Sequence, residues 1–438
     1  MVLGGGGSPS PGTEVLVQLG FAAAVLAWVW GSAGGGGQSQ PVPMPLLWFG
    51  TALLVLPLVQ LVPLPPAIWQ SLPARELERA TLALIGQEES WRPLSIAPAQ
   101  TRAALLALVP AVGVMWAMSV LAPSGRRLVI HTIALLALAG ALLGALQMSG
   151  GPDAFRLYDK THRGWLTAFH ANRNAAADVL LIGTLALSAW FARSARSSGR
   201  SPRYLLPLFL AGQAVLVTAL VLTGSRTGIA LAFVILPFHW LMLRPGQDRW
   251  RKRSLFTAGA VAALVLAIFP MALGGNSRLA RVAQRFDASS DARFPLWQDT
   301  LAAVAGYWPA GSGVGTFPVA FQPFESLAYL DPFFPNRAHN DYLEFLLEAG
   351  VLALPLLAGG LYALVVLARR AWKLSPQDHA AQLFAAGTLA IVALHSLVDY
   401  PLRNMAIACL AGVAAGLLTV APRSGKAPAG KEGREHTE

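Results

Sequence analysis

The chain has 438 residues, of which 55% are hydrophobic and only 13% are charged. Soluble domains carry about 25% charged residues, so this composition excludes a soluble domain with one anchor and predicts a protein that crosses a membrane many times. The net charge of +11 does not require a nucleic-acid partner, because the basic residues lie in short loops where the positive-inside bias explains them. The single cysteine, Cys409, excludes an internal disulfide.

The start of the chain is rich in glycine, serine and proline, and we predict that residues 1–14 are disordered. The apolar run that follows lacks the basic segment of a cleavable signal peptide, so it is predicted to be the first span. Apolar runs of membrane-spanning length predict roughly eleven spans in all. They lie at 15–33, 44–64, 102–122, 127–148, 175–193, 204–222, 228–243, 255–274, 350–368, 380–397 and 402–420.

The predicted fold is an all-α, polytopic transmembrane helical bundle of about 10–12 spans, with one long, partly helical loop on the outer side. After the disordered start, the predicted parts are an N-terminal transmembrane bundle, the large outer loop, the C-terminal transmembrane helices and a disordered cytoplasmic tail. These parts cover 15–274, 275–349, 350–420 and 421–438.

Basic residues in the short loops set the predicted orientation of the bundle. The loops near Arg126, 193–203, 244–253 and 369–373 are predicted to face the cytoplasm. The alternate segments, which then face outward with the N-terminus, are 65–101, 149–174, 223–227, 275–349 and 398–401. The positive-inside bias does not predict arginines on the outer side, so outward arginines are candidates for function.

Two of the outward segments have sequence patterns that indicate folded structure and not a simple connecting loop. Residues 74–84 predict a short amphipathic helix on the membrane surface. The segment 275–349 is much longer than ordinary loops, and its many aromatic residues predict that it is folded.

The stretch 334–350 crowds polar residues into the boundary between water and membrane. If a helix begins near Asn340, then Asp341, Glu344 and Glu348 fall at i, i+3 and i+7 and share one face. Acids at that depth need partners or an aqueous cavity, which makes them candidates for a functional site. The alternative is a solvated helix start, where the helix dipole favours acids.

His339, within that stretch, is the best candidate for proton chemistry, because histidine titrates nearest to neutral pH. Asp341, Glu344 and Asp399 are acids that could orient its ring or hold its charge. The alternative is a histidine that caps the helix or contacts the interface. His395 and Asp399 are four residues apart and could pair on one helix face, either for catalysis or as a polar clamp between helices.

Arginine at the outer mouth of an apolar bundle suits an anionic ligand, because its planar guanidinium binds phosphate in a bidentate manner. Arg226 lies between Ser225 and Thr227, beside a predicted helix start whose amides also attract anions. The alternative is that Arg226 caps a helix or extends to lipid head groups. The glycines of 311–315 are more typical of a turn than of a phosphate-binding loop.

The sequence offers no metal site and no nucleotide-binding loop. It has no His-Glu-x-x-His motif, no Asp-x-Asp pair, no cluster of cysteine and histidine, and no Walker-type motif. We therefore expect chemistry without a metal or other cofactor.

Several of these stretches, taken in order, resemble the O-antigen ligase and O-antigen polymerase family of bacterial envelope proteins. The resemblance covers most of the chain after about residue 90, and the order of the pieces makes it fairly specific. The matching pieces are 91–98 (WRPLSIAP), 169–174 (FHANRN), 223–228 (TGSRTG), 311–317 (GSGVGTF), 337–350 (RAHNDYLEFLLEAG) and 395–403 (HSLVDYPLR).

The resemblance implies a metal-independent, inverting glycosyltransferase that moves a glycan from a polyprenyl-diphosphate carrier to an acceptor hydroxyl. Arg226 and Arg337 match arginines placed near the lipid diphosphate, and His339 matches the histidine proposed to assist the acceptor. Arg173 departs from the Asn-Pro-Asn of many members and is a further candidate for the diphosphate. The supporting residues are Asn172, Asn174, Ser225, Asn340, Asp341, Tyr342, Glu344, Glu348, His395, Asp399 and Arg403.

The resemblance also implies a multi-pass protein of the bacterial inner membrane, with its active site facing the periplasm and its substrates among membrane lipids. The acceptor could be a glycan, lipid A core or a protein. A polymerase that extends exopolysaccharide or O-antigen remains an alternative of the same family. A transporter or flippase of the lipid-linked glycan is the alternative from another class, although polar residues at one outer face favour an enzyme.

Overall fold

The structure is a computed structural model, and it describes residues 1–6, 11–33, 40–151, 153–197, 205–244, 293–327 and 334–422. Within these ranges almost all regular structure is helical, and one pair of two-residue strands joins Pro63–Leu64 to Arg92–Pro93. The helices are α1 (Pro11–Ala33), α2 (Met44–Gln60), α3 (Pro66–Trp69), α4 (Glu76–Ala83), α5 (Pro98–Val120), α6 (Pro123–Ser149), α7 (Arg173–Ser197), α8 (Leu206–Leu222), α9 (Arg226–Val234), α10 (Leu236–Leu243), α11 (Arg293–Tyr307), α12 (Phe317–Phe321), α13 (Asp341–Ala349), α14 (Ala353–Leu374), α15 (His379–His395) and α16 (Met405–Leu417).

The all-α, polytopic class predicted from the sequence is confirmed. Within the described ranges, six helical stretches have the length and hydropathy needed to cross a membrane. They are Gly12–Gly31, Pro98–Val120, Pro123–Ser149, Arg173–Ala195, Arg226–Leu243 and Asp341–Leu374. Shorter apolar helices accompany them at Met44–Gln60, Leu206–Leu222 and Met405–Leu417.

Among the six long apolar stretches the most buried is that of α7, which packs against α6, α8 and α15 at the centre of the bundle. Small residues allow neighbouring helices to approach closely. A Cβ added to Gly183 of α7 would lie 2.3 Å from the Cβ of Ala137, and one added to Gly412 of α16 would lie 2.4 Å from the carbonyl oxygen of Ala111. Because association in lipid depends on such packing, these glycines fix the arrangement of the bundle.

The segments predicted to face outward meet at one end of the bundle. Backbone hydrogen bonds join Ile96 to Ser312 (3.0 Å), Leu166 to Leu222 (3.2 Å) and Asp341 to Ser396 (3.0 Å). Arginines predicted to face the cytoplasm lie between helices at the opposite end. There Arg126 donates hydrogen bonds to the carbonyl oxygens of Ser119 and Thr419. These contacts agree with the alternation of spans predicted from the sequence, which assigns the joined segments to the same side of the membrane.

Some element boundaries differ from the predicted ones. The predicted span at 228–243 is divided into α9 and α10, and a proline, Pro237, lies in the first turn of α10. The helix α15 ends at His395 and α16 begins at Met405, so the outer link between them is longer than predicted. The predicted span 255–274, the parts 275–292 and 328–333 of the loop 275–349 and nearly all of the tail 421–438 lie outside the described residues.

The start of the chain also differs from the prediction of disorder over residues 1–14. Residues 1–6 lie against the bundle, and α1 already begins at Pro11. Gly4 and Gly5 are buried. The composition misled the prediction because glycines without side chains can pack against another backbone as well as remain disordered. The short helix predicted at 74–84 is present as α4, over Glu76–Ala83.

Candidate functional site

His339 immediately precedes the cap of α13, and its side chain reaches the link between α15 and α16. Its Nδ1 lies 3.1 Å from Oδ1 of Asp399, and its ring meets the ring of Tyr400 edge-on at 4.8 Å between centroids. The backbone of His339 has φ +50°, in the left-handed region that non-glycine residues seldom adopt. About a third of the side chain is exposed, so a hydroxyl could approach the ring.

Asp399 connects His339 to the start of α7. Its Oδ2 accepts a hydrogen bond of 2.6 Å from Nδ2 of Asn174 and lies 3.8 Å from Nε2 of His395. Burial disfavours the charged carboxylate, but the hydrogen bond and charge of His339, with the charges of His395 and Arg293, outweigh burial and lower the pKa of Asp399 to about 2. Asp399 is therefore an anion at neutral pH and orients the imidazole of His339.

His395 makes its shortest contact with Asp178 of α7, a residue that the sequence analysis did not single out. The Nδ1 of His395 lies 2.6 Å from Oδ1 of Asp178, and both side chains are only 1% exposed. The predicted pair of His395 and Asp399 is present, with Nε2 and Oδ2 3.8 Å apart, although α15 itself ends at His395 and the contact with Asp178 is shorter. A lone aspartate within an apolar helix is itself a signal for function, and it could have revealed Asp178.

The acids of α13 share one face, as predicted, and all three are buried. They surround two arginines. Arg403 donates a 2.8 Å hydrogen bond to Oε2 of Glu348, and its Nε lies 3.3 Å from Oε1 of Glu344 and 3.6 Å from Oδ1 of Asp341. Arg337 donates a 2.8 Å hydrogen bond to Oε1 of Glu344. These acids therefore have partners, in agreement with the expectation for charges at that depth.

Asp341 and Glu344 were predicted as candidates to orient His339, but their hydrogen bonds go to other groups. Oδ2 of Asp341 accepts hydrogen bonds from Oγ of Ser396 (2.9 Å) and from the backbone amide of Leu402 (3.1 Å). Oε2 of Glu344 accepts one from the backbone amide of Ala338 (3.1 Å). The two acids thus hold the loop that carries His339 against the link that carries Asp399.

Asn340 and Tyr342 add to this attachment. Oδ1 of Asn340 caps α13 by accepting from the amides of Tyr342 (3.0 Å) and Leu343 (3.1 Å), and the helix begins where the sequence analysis supposed. Its Nδ2 donates to the carbonyl oxygen of Leu397 (2.9 Å), and the hydroxyl of Tyr342 donates to that of Ala393 (2.9 Å). These bonds set the position of α13 relative to the end of α15.

Arg173 and Arg226 are the first residues of α7 and α9. The guanidinium of Arg173 lies over the ring of Trp165 at 5.1 Å. Oγ of Ser225 caps α9 by accepting from the amide of Gly228 (3.2 Å). The same tryptophan packs on the turn before Arg226, since a Cβ added to Gly224 would lie 2.3 Å from the Trp165 ring. Trp165 therefore stands between the two arginine-bearing turns.

A continuous series of contacts links these turns to His339. Oδ1 of Asn172 accepts from the amide of Asn174 (2.8 Å), and the side chain of Asn172 also hydrogen-bonds to Tyr400. Asn174 then bonds to Asp399, which bonds to His339. The arginines, the asparagines and the histidine singled out in the sequence thus belong to one end of the bundle.

The glycine run 311–315 forms a tight turn. Gly311, Gly313 and Gly315 all have positive φ, and a Cβ on Gly311 would lie 2.6 Å from the backbone nitrogen of Gly350. The run therefore packs against other backbone segments, as the reading of it as a turn predicts. The residues described by the structure contain no group of three or more His, Cys, Asp or Glu side chains that could hold a metal ion.

Comparison with known proteins gives one family match. A model of the O-antigen ligase family matches residues 208–358, which include the turn before Arg226 and the loop of His339. No curated protein matches the chain. A solved chain from a structure reporting coordination of polymerization and crosslinking by a peptidoglycan synthase complex has a TM-score of 0.41 and 16% identity, over 86% of this chain and 97% of that chain. Through the match over 208–358, the resemblance seen in the sequence is confirmed, and this region belongs to the O-antigen ligase family.

Proposed function

We propose that the chain is a membrane glycosyltransferase that moves a glycan from a polyprenyl-diphosphate carrier to an acceptor hydroxyl on the periplasmic side, as an O-antigen ligase does. The observation that carries the proposal is the contact of 3.1 Å between Nδ1 of His339 and the carboxylate of Asp399. A partly exposed imidazole held by a buried anion is a suitable general base. The family match over 208–358 supports the same class of chemistry.

The tautomer of His339 follows from its partner. Asp399 accepts the proton of Nδ1–H, so the neutral ring presents Nε2 as the proton acceptor. The acceptor hydroxyl then gives its proton to Nε2 while its oxygen attacks the anomeric carbon. The bond from that carbon to the phosphate oxygen breaks, and the electron pair leaves with the polyprenyl diphosphate. Attack from the face opposite the leaving group inverts the anomeric centre.

The leaving diphosphate needs positive groups, and the arginine-bearing turns offer them. Arg173 and Arg226 each begin a helix, so the positive end of the helix dipole favours an anion beside the guanidinium. Arg337 already shares its charge with Glu344, so we assign it the edge of the diphosphate site. Arg403 is enclosed by three carboxylates and positions α13. The polyprenyl chain would lie among the membrane lipids, and no metal or cofactor takes part.

Substitution of His339 tests the proposal in membranes that contain equal amounts of each variant. We expect His339→Ala to lower glycan transfer by about 100-fold or more, the usual contribution of a general base. The matched control is His379→Ala, because His379 stacks on Trp372 and lies near the opposite end of the bundle. Transfer by His339→Ala at the rate of the control, over a range of pH, would remove His339 from the chemistry.

A further inference from the structure

The first six residues, which we call the strap, run across the same end of the bundle as His339. Four consecutive carbonyl oxygens of the strap accept hydrogen bonds from the surrounding protein. The donors are the hydroxyl of Tyr158 to Leu3 (3.2 Å), the amide of Ala406 to Gly4 (3.1 Å), the amide of Ala171 to Gly5 (2.8 Å) and Nδ2 of Asn404 to Gly6 (3.3 Å). The strap is thus fixed between the loop before α7 and the start of α16.

Glycine is required for this close approach. A Cβ on Gly4 would lie 2.9 Å from the backbone nitrogen of Ala406, and a Cβ on Gly5 would lie 2.3 Å from the carbonyl oxygen of Phe169. Real Cβ atoms do not come so near to backbone atoms, so a larger residue at position 5 would push the strap away. Composition alone predicts that the glycine-rich start of the sequence is disordered. The close packing of Gly4 and Gly5 against other backbone atoms explains why glycine is present there.

A small cavity lies beside Gly6 of the strap and beside the side chains of Asp178, His395 and Asp399. It is lined by Gly6, Asn172, Ala175, Asp178, His395 and Asp399, among others. Oδ2 of Asp178 and Nε2 of His395 are buried there, and neither has a hydrogen-bond partner within the described part of the chain. Buried polar atoms of this kind call for water or a ligand. Gly6 at the end of the strap therefore borders a polar space that adjoins Asp399.

Little apolar area holds the strap in place. Gly4, Gly5 and Gly6 bring no side chains, and Leu3 is 46% exposed, whereas Met1 packs against the core. Segments held mainly by a few hydrogen bonds open locally at low cost in free energy. We propose that the strap is a reversible cover that limits access to the cavity beside His395 and Asp399. A role of the opened cavity in glycan transfer rests on the proposed function. The proposal that the strap limits access to the cavity does not depend on that function.

Thiol labelling tests the cover without any assay of activity. In a Cys409→Ala background, Ala175→Cys places one thiol in the cavity wall, where a membrane-impermeant maleimide can report access. We expect Gly5→Leu to raise the labelling rate by about tenfold or more, because the rate follows the population of the open state. Tyr158→Phe removes one bond to the strap and is expected to raise the rate by less.

The matched control is Gly12→Leu, because a Cβ on Gly12 meets nothing within 4 Å. It makes the same substitution a short distance along the chain and should label at the parent rate. Equal labelling of Gly5→Leu and Gly12→Leu would overturn the cover, whatever the enzyme does. Faster labelling of Gly5→Leu in a protein whose transfer does not depend on His339 would support the cover and reject the proposed function, so the two failures are distinguishable.

Discussion

At the scale of single residues, the site depends on how Asp399 is kept ionised inside the protein. Its carboxylate has three neighbours that donate or carry positive charge: Asn174, His339 and His395. Burial alone would raise its pKa, but His339, His395 and Arg293 outweigh burial and lower the pKa to about 2, below the ordinary value of 3.8. A group whose pKa is depressed in the folded state stabilises that state above its unfolded pKa, and this stabilisation is lost as the pH falls through the folded pKa.

Asp399→Asn should therefore destabilise the protein near neutral pH and make little difference in strong acid. We expect about 2 kcal/mol less stability at pH 7, with the gap to the parent protein shrinking as the pH falls from about 4 towards 2. Thermal unfolding in detergent at several pH values between 7 and 2 measures the difference in stability between Asp399→Asn and the parent protein. A gap that stays constant with pH would contradict the assignment of an ionised Asp399. The same variant should also lose glycan transfer, because Asn does not fix the tautomer of His339.

At the scale of elements, α13 is a short helix that buries three acids, and Arg403 is the residue that compensates their charge. It contacts Asp341, Glu344 and Glu348 from the link after α15. Removing one partner from a buried set of charges leaves the others unpaired, which costs about 3–5 kcal/mol. The stability of the site end therefore depends on a residue that we do not expect to touch substrate.

Arg403→Met should lower the unfolding temperature strongly, and Arg403→Lys should lower it less, because lysine keeps the charge but loses the planar fork. Thermal unfolding in detergent is the measurement. Arg370→Met serves as control, since Arg370 is exposed near the far end of α14. If Arg403→Met unfolds at the temperature of this control, the charge network does not stabilise α13.

The features of α13 were predictable because they are local. The shared face of Asp341, Glu344 and Glu348 follows from helical spacing alone. The partners of these residues were not predictable, because Glu348 and Arg403 are 55 residues apart and Asp178 and His395 are 217 apart. Spacing along the chain did predict the pair of His395 and Asp399, whose Nε2 and Oδ2 lie 3.8 Å apart, but it did not predict the shorter contact of His395 with Asp178.

At the scale of the whole molecule, the alternation of spans decides which loops meet. The sequence predicted this correctly for segments 149–174, 223–227 and 398–401, because each crossing reverses the direction of the chain. The strap escaped prediction, since its contacts are between backbones and leave no pattern in side chains. The orientation of the bundle in the membrane stays a prediction from the positive-inside bias.

Labelling of single cysteines in a Cys409→Ala background tests that orientation in intact cells whose outer membrane admits the reagent. Leu327→Cys, at an 83% exposed position on the site end, should react with an impermeant maleimide. Arg370→Cys, near the opposite end, should react only after the inner membrane is opened. The reverse pattern would place the site in the cytoplasm and exclude a periplasmic transferase.

The left-handed backbone of His339 carries a conformational cost, which the structure also shows at Ala74, Phe155 and Ala168. A non-glycine residue in such a conformation loses roughly 1 kcal/mol or more, and glycine or asparagine would sit there with less strain. The fold thus tolerates an awkward local geometry in order to present an imidazole at this point. We expect that glycine or asparagine at position 339 would relieve this strain and, in the same step, remove the proposed base, so a gain in thermal stability at this position would come with a loss of transfer.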